Sequence, residues 1–310
     1  MQFCVLASGS KGNALLVRKG KTCVLIDCGL SLRDLRRRLQ TLDLEIYDLT
    51  ALVITHGHSD HVRAAHSLAG PMRLRSYATI QTRNHLAARQ GLANWVQICP
   101  DTPFQIGDLQ FLPFSTPHDI AGSVGFVVEA EGVRLGLCTD LGEPAAVVAS
   151  KLQGCDTLYL EFNYDDEMLL HGPYPQRLKR RVRSSRGHLS NVQGAALLKE
   201  TLSPNTQRVI LAHLSETNNT ISLATAAAKA VVGARAVEIQ VAPQHEPGTW
   251  VEVCPDRVNA RGVKTKSAGS SDEYAAPKSK KPNSPEAVAT SSVSKDVAVA
   301  VQKQLLLFGE

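Results

Sequence analysis

This sequence of 310 residues has no run of the roughly 18 apolar residues that a membrane-spanning helix needs. Its opening, MQFCVLASGSKGNALLV, lacks the basic segment, long apolar stretch and small-residue cleavage site of a secretory leader. A soluble, cytoplasmic protein without a membrane partner is expected. Cysteine is present but never spaced as CxxC: Cys4, Cys23, Cys28, Cys99, Cys138, Cys155 and Cys254 are odd in number and scattered. That pattern argues against both a disulfide framework and a thiolate zinc site, and leaves most of the cysteines as small buried apolar residues. Neither sign of charge is in great excess. A charged fraction of 20% and a net charge of +5 permit an acidic partner such as nucleic acid without requiring one.

What is present is an ordinary globular composition, 43% hydrophobic, enough for a core of good size. As far as Val253, short β-type runs alternate with helical periods. Strands are expected at FCVLAS, NALLVR, TCVLID, ALVIT, MRLRS, LQFLPF, VGFVVEA, VRLGLCTD, TLYLEF, RVILAH, VEIQVA and TWVEV, with hairpin spacing at VVEAEGVRLGL. Helical periods fall at LRDLRRRLQ, HVRAAHSL, TIQTRNHLAARQ, VQGAALLKETL and LATAAAKAVVGA, the last rich enough in alanine to lie on a flat surface. Many antiparallel strands with helices between them imply an α+β fold, two sheets packed together and covered outside by helices. Residues 1–257 are read as this domain. From 258 to 303 the composition turns to Ser, Lys, Pro, Ala and Asp, which cannot bury enough apolar surface to offset ordering entropy, so a disordered linker is expected there. Residues 304–310 form a separate terminal motif.

The most informative stretch is ITHGHSDH, Ile54 to His61. His56, His58, Asp60 and His61 place four ligand-type groups within six positions, after the apolar run ALVI and before a helical pattern. A loop at a strand end can turn such side chains toward one point, whereas a buried strand would leave them unpaired. Imidazole with carboxylate and no thiolate suits Zn²⁺ or Mn²⁺.

HxHxDH, with Asp27 closing the earlier run LIDCG, resembles the signature of the metallo-β-lactamase fold, a four-layer αββα sandwich with a dinuclear metal site at the edge of its two sheets. His118 in STPHDIAGSVGF, Asp140 in LCTDLGE and His213 in VILAHLSETNN match further positions in order. The resemblance implies that His56, His58 and His118 hold one ion, that Asp60, His61 and His213 hold a second, and that Asp140 bridges them. Asp27 would accept a hydrogen bond from a ligand and fix its orientation.

Many chemistries use such a fold, so the substrate must be argued from the site. His188 in GHLSN, one helix ahead of His213, resembles the non-ligand histidine of the tRNA-processing RNase Z family, and Glu161 at the end of TLYLEF stands where that family's orienting glutamate stands. In that arrangement a pair of ions activates water for in-line attack and His188 protonates the departing 3′ oxygen; His188, Glu161 and Asp60 are the expected catalytic residues. The run RLKRRVRSSR places Lys179, Arg180, Arg181, Arg183 and Arg186 just before His188, as a solvated helix face or as a clamp on a phosphate backbone. The loop SGSKGN offers Ser8, Ser10, Lys11 and Asn13, with Gly9 and Gly12, as a hairpin turn or as a cradle for a terminal phosphate.

LASGSKGNALLV, LIDCGLS, ITHGHSDH, PHD, TDLGE, GHLSN and AHLSETNN together resemble the YycJ or WalJ branch, whose members are 5′ to 3′ DNA exonucleases. This chain departs from that branch at Tyr164, where the branch usually has a histidine. Finally, QLLLF resembles the Q-L-x-L-F pentapeptide that docks on the bacterial sliding clamp through Gln304, Leu305, Leu307 and Phe308. A linker of about 45 residues would give such a motif an r.m.s. reach of about 35–40 Å, which suits a nuclease in DNA replication or repair. The competing expectations are an RNA-processing endonuclease, against which stands the absence of a long inserted arm to grip a tRNA, a thioester or lactone hydrolase, and a clamp-bound scaffold.

Overall fold

The structure, a computed structural model, describes residues 1–90 and 94–253. The expected linker, 258–303, and the QLLLF motif lie outside these residues. Among the described residues, no helix is long and apolar enough to cross a membrane.

One sheet contains β1 (Gln2–Ala7), β2 (Ala14–Lys19), β3 (Thr22–Ile26), β4 (Ala51–Val53), β5 (Ser76–Ala78), β6 (Trp95–Gln97) and β14 (Val251–Glu252). Its strand order is β14-β1-β2-β3-β4-β5-β6. The other contains β7 (Phe104–Ile106), β8 (Leu109–Ser115), β9 (Val124–Ala130), β10 (Val133–Cys138), β11 (Thr157–Glu161), β12 (Arg208–Ala212) and β13 (Glu238–Val241), in the order β13-β12-β11-β10-β9-β8-β7. Each sheet is half antiparallel and half parallel. Hairpins join β1 to β2 to β3 and β7 to β8 to β9 to β10. The parallel halves, β3 to β6 and β10 to β13, begin where helices intervene, because a parallel neighbour needs a crossover. The crossovers are α1 (Leu32–Gln40), α2 (Ser59–Val62), α3 (Ala65–Ala69) and α4 (Ile80–Gln90) on the first sheet, and α5 (Ala146–Leu152), α6 (Asp166–His171), α7 (Gln176–Val182), α8 (Asn191–Thr201) and α9 (Ile221–Val232) on the second.

Strand alternation creates the layers. In β3, Val24 and Ile26 face the other sheet while Cys23 and Leu25 face the helices; in β12, Ile210 and Ala212 face inward while Val209 and Leu211 face outward. Three apolar cores result: one between the sheets, containing Phe3, Phe111, Phe126 and Tyr159, and one under each helical layer. This is the four-layer αββα arrangement. Alanine-rich α9 lies flat as its composition implies, with Ala224 and Ala228 fully buried against its neighbours.

The hairpin expected at VVEAEGVRLGL forms, with Ala130 opposite Val133 and left-handed backbone at Glu131 (φ 51°) and Gly132 (φ 75°). MRLRS does not pair where expected. A turn after Gly70 and a left-handed Arg73 (φ 53°) hold Met72 to Leu74 outside the ladder, which starts where Arg75 O accepts from Leu52 N (2.9 Å), and the strand begins at Ser76. HVRAAHSL is split into α2 and α3, since the Ala64 amide bonds the Cys28 carbonyl (3.0 Å). The three-residue β6 and β7 and the short α5, α6 and α7 carry too little periodicity to be read from sequence.

Candidate metal centre

The chemistry-bearing side chains lie at the carboxyl ends of strands: Asp27 after β3, His56 to His61 after β4, His118 after β8, Asp140 after β10, Glu161 ending β11 and His213 after β12. Asp27 (φ 59°), Asp140 (φ 59°) and His213 (φ 57°) all take left-handed backbone as they leave their strands, a conformation uncommon outside glycine. Three loops are locked together beneath them. Asn13 N donates to Asp60 O (2.8 Å), Gly29 N to Asn13 O (2.9 Å) and Cys28 N to His61 O (2.7 Å). A Cβ on Gly29 would lie 1.6 Å from the Asp60 carbonyl, so only glycine permits this approach.

The side chains converge in two trios. His58 Nδ1 lies 3.2 Å from His56 Nε2 and 3.1 Å from His118 Nε2. Asp60 Oδ2 lies 3.6 Å from both His61 Nε2 and His213 Nε2. Asp140 stands between the trios, its carboxylate 3.3 Å from His61 Nε2, 3.7 Å from His213 Nε2 and 3.9 Å from His118 Nε2. Donors bound at about 2.0–2.1 Å in a tetrahedral set stand about 3.3–3.4 Å apart, close to these spacings. Asp140 Oδ2 and His213 Nε2 are buried without a hydrogen-bond partner, which a cation between them would satisfy. The donor set fits divalent metal binding.

The opposite edges of the ligand-type rings are held by hydrogen bonds. Asp27 Oδ2 lies 2.7 Å from His61 Nδ1, and Asp27 is itself held by the Thr55 amide and hydroxyl (both 2.8 Å). His118 Nδ1 donates to Gly187 O (3.0 Å), and Thr55 Oγ1 is 3.0 Å from His56 Nδ1. Glu161, fully buried, is 2.8 Å from His188 Nδ1 and 3.1 Å from His213 Nδ1 through Oε1, and its Oε2 accepts from Leu141 N (2.9 Å) and Leu189 N (3.2 Å). It therefore holds two imidazoles, not the one that the sequence suggested. His188 is fixed further by the chain beyond it: Ser190 and Gln193 form a capping box that starts α8.

The electrostatics divide the imidazoles. Burial, with His61 beside it, holds His56 well below the usual histidine range, and burial pushes His58 down to about 4. Burial acts the same way on His61, yet Asp140, Asp27 and Asp60 outweigh it and raise the group to about 9. Likewise His213 is driven well above its ordinary value against the effect of burial, chiefly by Asp140. Burial alone would raise the Asp140 carboxyl, but His213, His61, His56 and His118 hold it well below the carboxylate range.

Asp119, not singled out by sequence reasoning, lies 3.3 Å from His58 Nε2 and accepts from Arg181 Nε (2.6 Å). Its place directly after His118 in PHD was the available signal. Asn163 was also missed; its amide donates to His213 O (2.8 Å).

A cavity of ≈ 370 Å³ opens at the trios, lined by His58, Asp60, Asp140, His188 and His213 and also by residues of α7 and its approaches. Of the expected nucleic-acid contacts, Ser10 and Arg181 line it. Arg180, Arg183 and Arg186 are exposed. Ser8 and Lys179 are placed inside the protein instead: Ser8 Oγ accepts from His213 N (2.8 Å) and bonds the Tyr159 hydroxyl, and Lys179 Nζ donates to Leu170 O (2.7 Å), tying α7 to α6. The SGSKGN loop spends its amides internally, Gly9 on Asn13 Oδ1, Gly12 on Gly9 O and Asn13 on Asp60 O, while Lys11 pairs with Glu216 (2.5 Å). Asn13 Nδ2 points at the centre, 2.9 Å from His61 Nε2. Tyr164 is buried in a small core with Leu169 and Val182, takes a hydrogen bond from Arg183, and belongs to neither trio. His66 and His85 are exposed, and His85 lies against Gly57 of the histidine loop.

Two sheets between helical layers, with this cluster at their carboxyl edge, define a metallo-hydrolase of the αββα type. The chain belongs to the β-lactamase superfamily: the family description "Beta-lactamase superfamily domain" matches residues 22–214. It is 32% identical over 232 residues to the exodeoxyribonuclease YycJ of Bacillus anthracis, spanning 72% of this chain and 86% of that protein. It is 32% identical over 229 residues to the exodeoxyribonuclease WalJ of Streptococcus pneumoniae serotype 2, spanning 72% and 85%. Among solved structures, the metallo-β-lactamase fold protein YhfI of Bacillus subtilis superposes with a TM-score of 0.62 at 17% identity, over 80% of this chain and 98% of that one.

Proposed function

We propose that this protein is a dinuclear-metal DNA exonuclease. The observation that carries the reading is the pairing of His188 with Glu161 beside the two trios, in a chain 32% identical to proteins named exodeoxyribonucleases. In this reading His56, His58 and His118 would hold one divalent ion and Asp60, His61 and His213 a second, with Asp140 available to either, and this donor set would suit Zn²⁺ or Mn²⁺. When bound, such a pair supplies an activated water and neutralises charge developing on the phosphorus oxygens.

The remaining steps belong to the chain's own side chains. Glu161 accepts the proton-bearing Nδ1 of His188 and leaves Nε2 toward the cavity. As an imidazolium, His188 would give its Nε2 proton to the departing 3′ oxygen and end neutral with Nδ1–H still on Glu161, a contribution of about 10²- to 10⁴-fold. His188, with its side chain 22% exposed, can meet a substrate that the fully buried Glu161 cannot. Arg181, fixed by Asp119, contributes a guanidinium to a phosphate in the cavity. Acyl transfer from a thioester or lactone would need neither His188 nor this arginine, which favours the phosphodiester reading.

The same reading places the enzyme in DNA replication or repair, with 5′ to 3′ polarity and recruitment to the bacterial sliding clamp through Gln304, Leu305, Leu307 and Phe308. Support for the clamp comes from the match of QLLLF to Q-L-x-L-F. The test is digestion of 5′- and 3′-labelled DNA and RNA of equal sequence by metal-stripped protein resupplied with Mn²⁺ or Zn²⁺, beside His58→Ala. Mononucleotides released from DNA by the intact protein alone support the reading. Cutting confined to RNA moves it to RNA processing, and no cutting of either overturns it. Removal of residues 304–310 should abolish capture by purified clamp and leave digestion of free DNA unchanged.

A further inference from the structure

The cavity over the metal centre has a second wall that diester hydrolysis by itself does not use. Tyr174, Leu178 and Val182, with Arg181 among them, line the same cavity as His58, Asp60 and His213. Tyr174 and Leu178 are partly buried against the small core of Tyr164, Leu169 and Val182, so the wall is backed by packed side chains. Among the described residues no other aromatic ring stacks on Tyr174. Attack on phosphorus calls for a cation and a proton donor; an aromatic ring and a leucine facing that site call for a flat apolar group on the substrate. At ≈ 370 Å³ the cavity is near the lower end of single-ligand pockets, about 300–1,000 Å³, a volume that suits one nucleotide unit.

Building on the nuclease reading, we propose that this wall is a subsite for the base of the terminal nucleotide, which enters unpaired and stacks on Tyr174 with Leu178 at its edge. Every base has a π-face, so stacking on Tyr174 accepts any terminal base, as progressive digestion requires. Arg181, held at 2.6 Å by Asp119, lies on the same wall, where the nucleotide's phosphate passes between base and metals. A terminal base must leave its partner to reach the ring, and the least stably paired ends are therefore the fastest to be degraded.

The test compares the full-length, metal-loaded protein on two single strands identical in every phosphate, one ending in a normal nucleotide and one in a tetrahydrofuran abasic residue, made for either end, so that no base pair has to open in either. The wild type should release the normal terminal unit about 5- to 100-fold more efficiently than the abasic one, the scale of one base stacked on an aromatic ring. Tyr174→Leu, which keeps apolar packing and removes the ring, should lose most of that discrimination by slowing the normal substrate and leaving the abasic rate unchanged; Tyr174→Trp should retain it. Equal release of the two ends by wild type, or equal slowing of both by Tyr174→Leu, overturns the subsite and leaves the nuclease reading standing. No release from either end by wild type overturns the nuclease reading and the subsite with it.

Discussion

Asp119 Oδ2 lies 2.6 Å from Arg181 Nε, while the same carboxylate reaches His58 Nε2 at 3.3 Å through Oδ1. One side chain thus joins His58 of the candidate metal centre to the basic helix that lines the cavity. Partners on the far edge of a metal-binding imidazole are typically worth 10- to 100-fold in metal affinity or activity. Asp119→Ala is expected to weaken metal retention about 10-fold against a competing chelator and to raise KM. Arg181→Ala should raise KM alone, with metal content unchanged. Equal metal retention by wild type and Asp119→Ala would show that Asp119 does not support His58.

His188 and Glu161 should separate in their effects. On the proposed mechanism His188→Ala removes the proton donor and leaves both trios intact, so metal content should be kept while kcat on DNA should drop by about 10²- to 10⁴-fold. A thymidine 5′-(p-nitrophenyl phosphate) substrate, whose leaving group departs without a proton, should largely escape that loss. Glu161→Gln disturbs His213 as well as His188, so it should reduce metal content and should not be rescued by the activated leaving group.

Metal uptake should release protons at neutral pH. In the metal-free protein His61 titrates at about 9, because burial is outweighed by Asp140, Asp27 and Asp60, and a metal must displace that proton. Affinity is expected to climb with pH up to about 9, with proton release visible by calorimetry in buffers of different ionisation enthalpy. The sign for stability follows: a raised histidine stabilises the metal-free fold fully below its unfolded value of about 6.5 and loses that contribution as pH rises through about 9. The Tm of the metal-free protein should therefore fall between neutrality and about pH 9, and bound metal should remove this part of the dependence. Metal affinity that stays flat across that window would count against the charged His61.

Tyr164 replaces a histidine of the resembled branch and should act on stability, not on metal. It is buried under α6 and α7 with Leu169 and Val182. Tyr164→His would place an imidazole in that apolar pocket at a cost of about 1–3 kcal/mol. Tyr164→Phe would forfeit only the hydrogen bond from Arg183, about 0.5–1.5 kcal/mol. Thermal unfolding should rank the three proteins Tyr, Phe, His, with metal content equal in all; a gain of metal in Tyr164→His would refute this placement.

Much of this protein is determined locally and is legible in the sequence. The strands are short apolar runs such as TCVLI and ALV, the alanines of α9 declare a flat contact, and ITHGHSDH concentrates ligand-type groups that a buried strand would leave unpaired. His118, Asp140 and His213 were legible only as members of an ordered set, because each alone is an ordinary strand-end residue. Tertiary structure decided what depends on approach between distant segments. It brought Asp119 between His58 and Arg181, gave Glu161 a second imidazole, turned Ser8 and Lys179 inward and set Tyr174 in the cavity that His58, Asp60 and His213 line. Periodicity and spacing encode which face a residue takes on its own element. Which carboxylate meets which imidazole is set by sheet register and by backbone contacts such as that of Gly29 with Asp60, and no single segment carries that information.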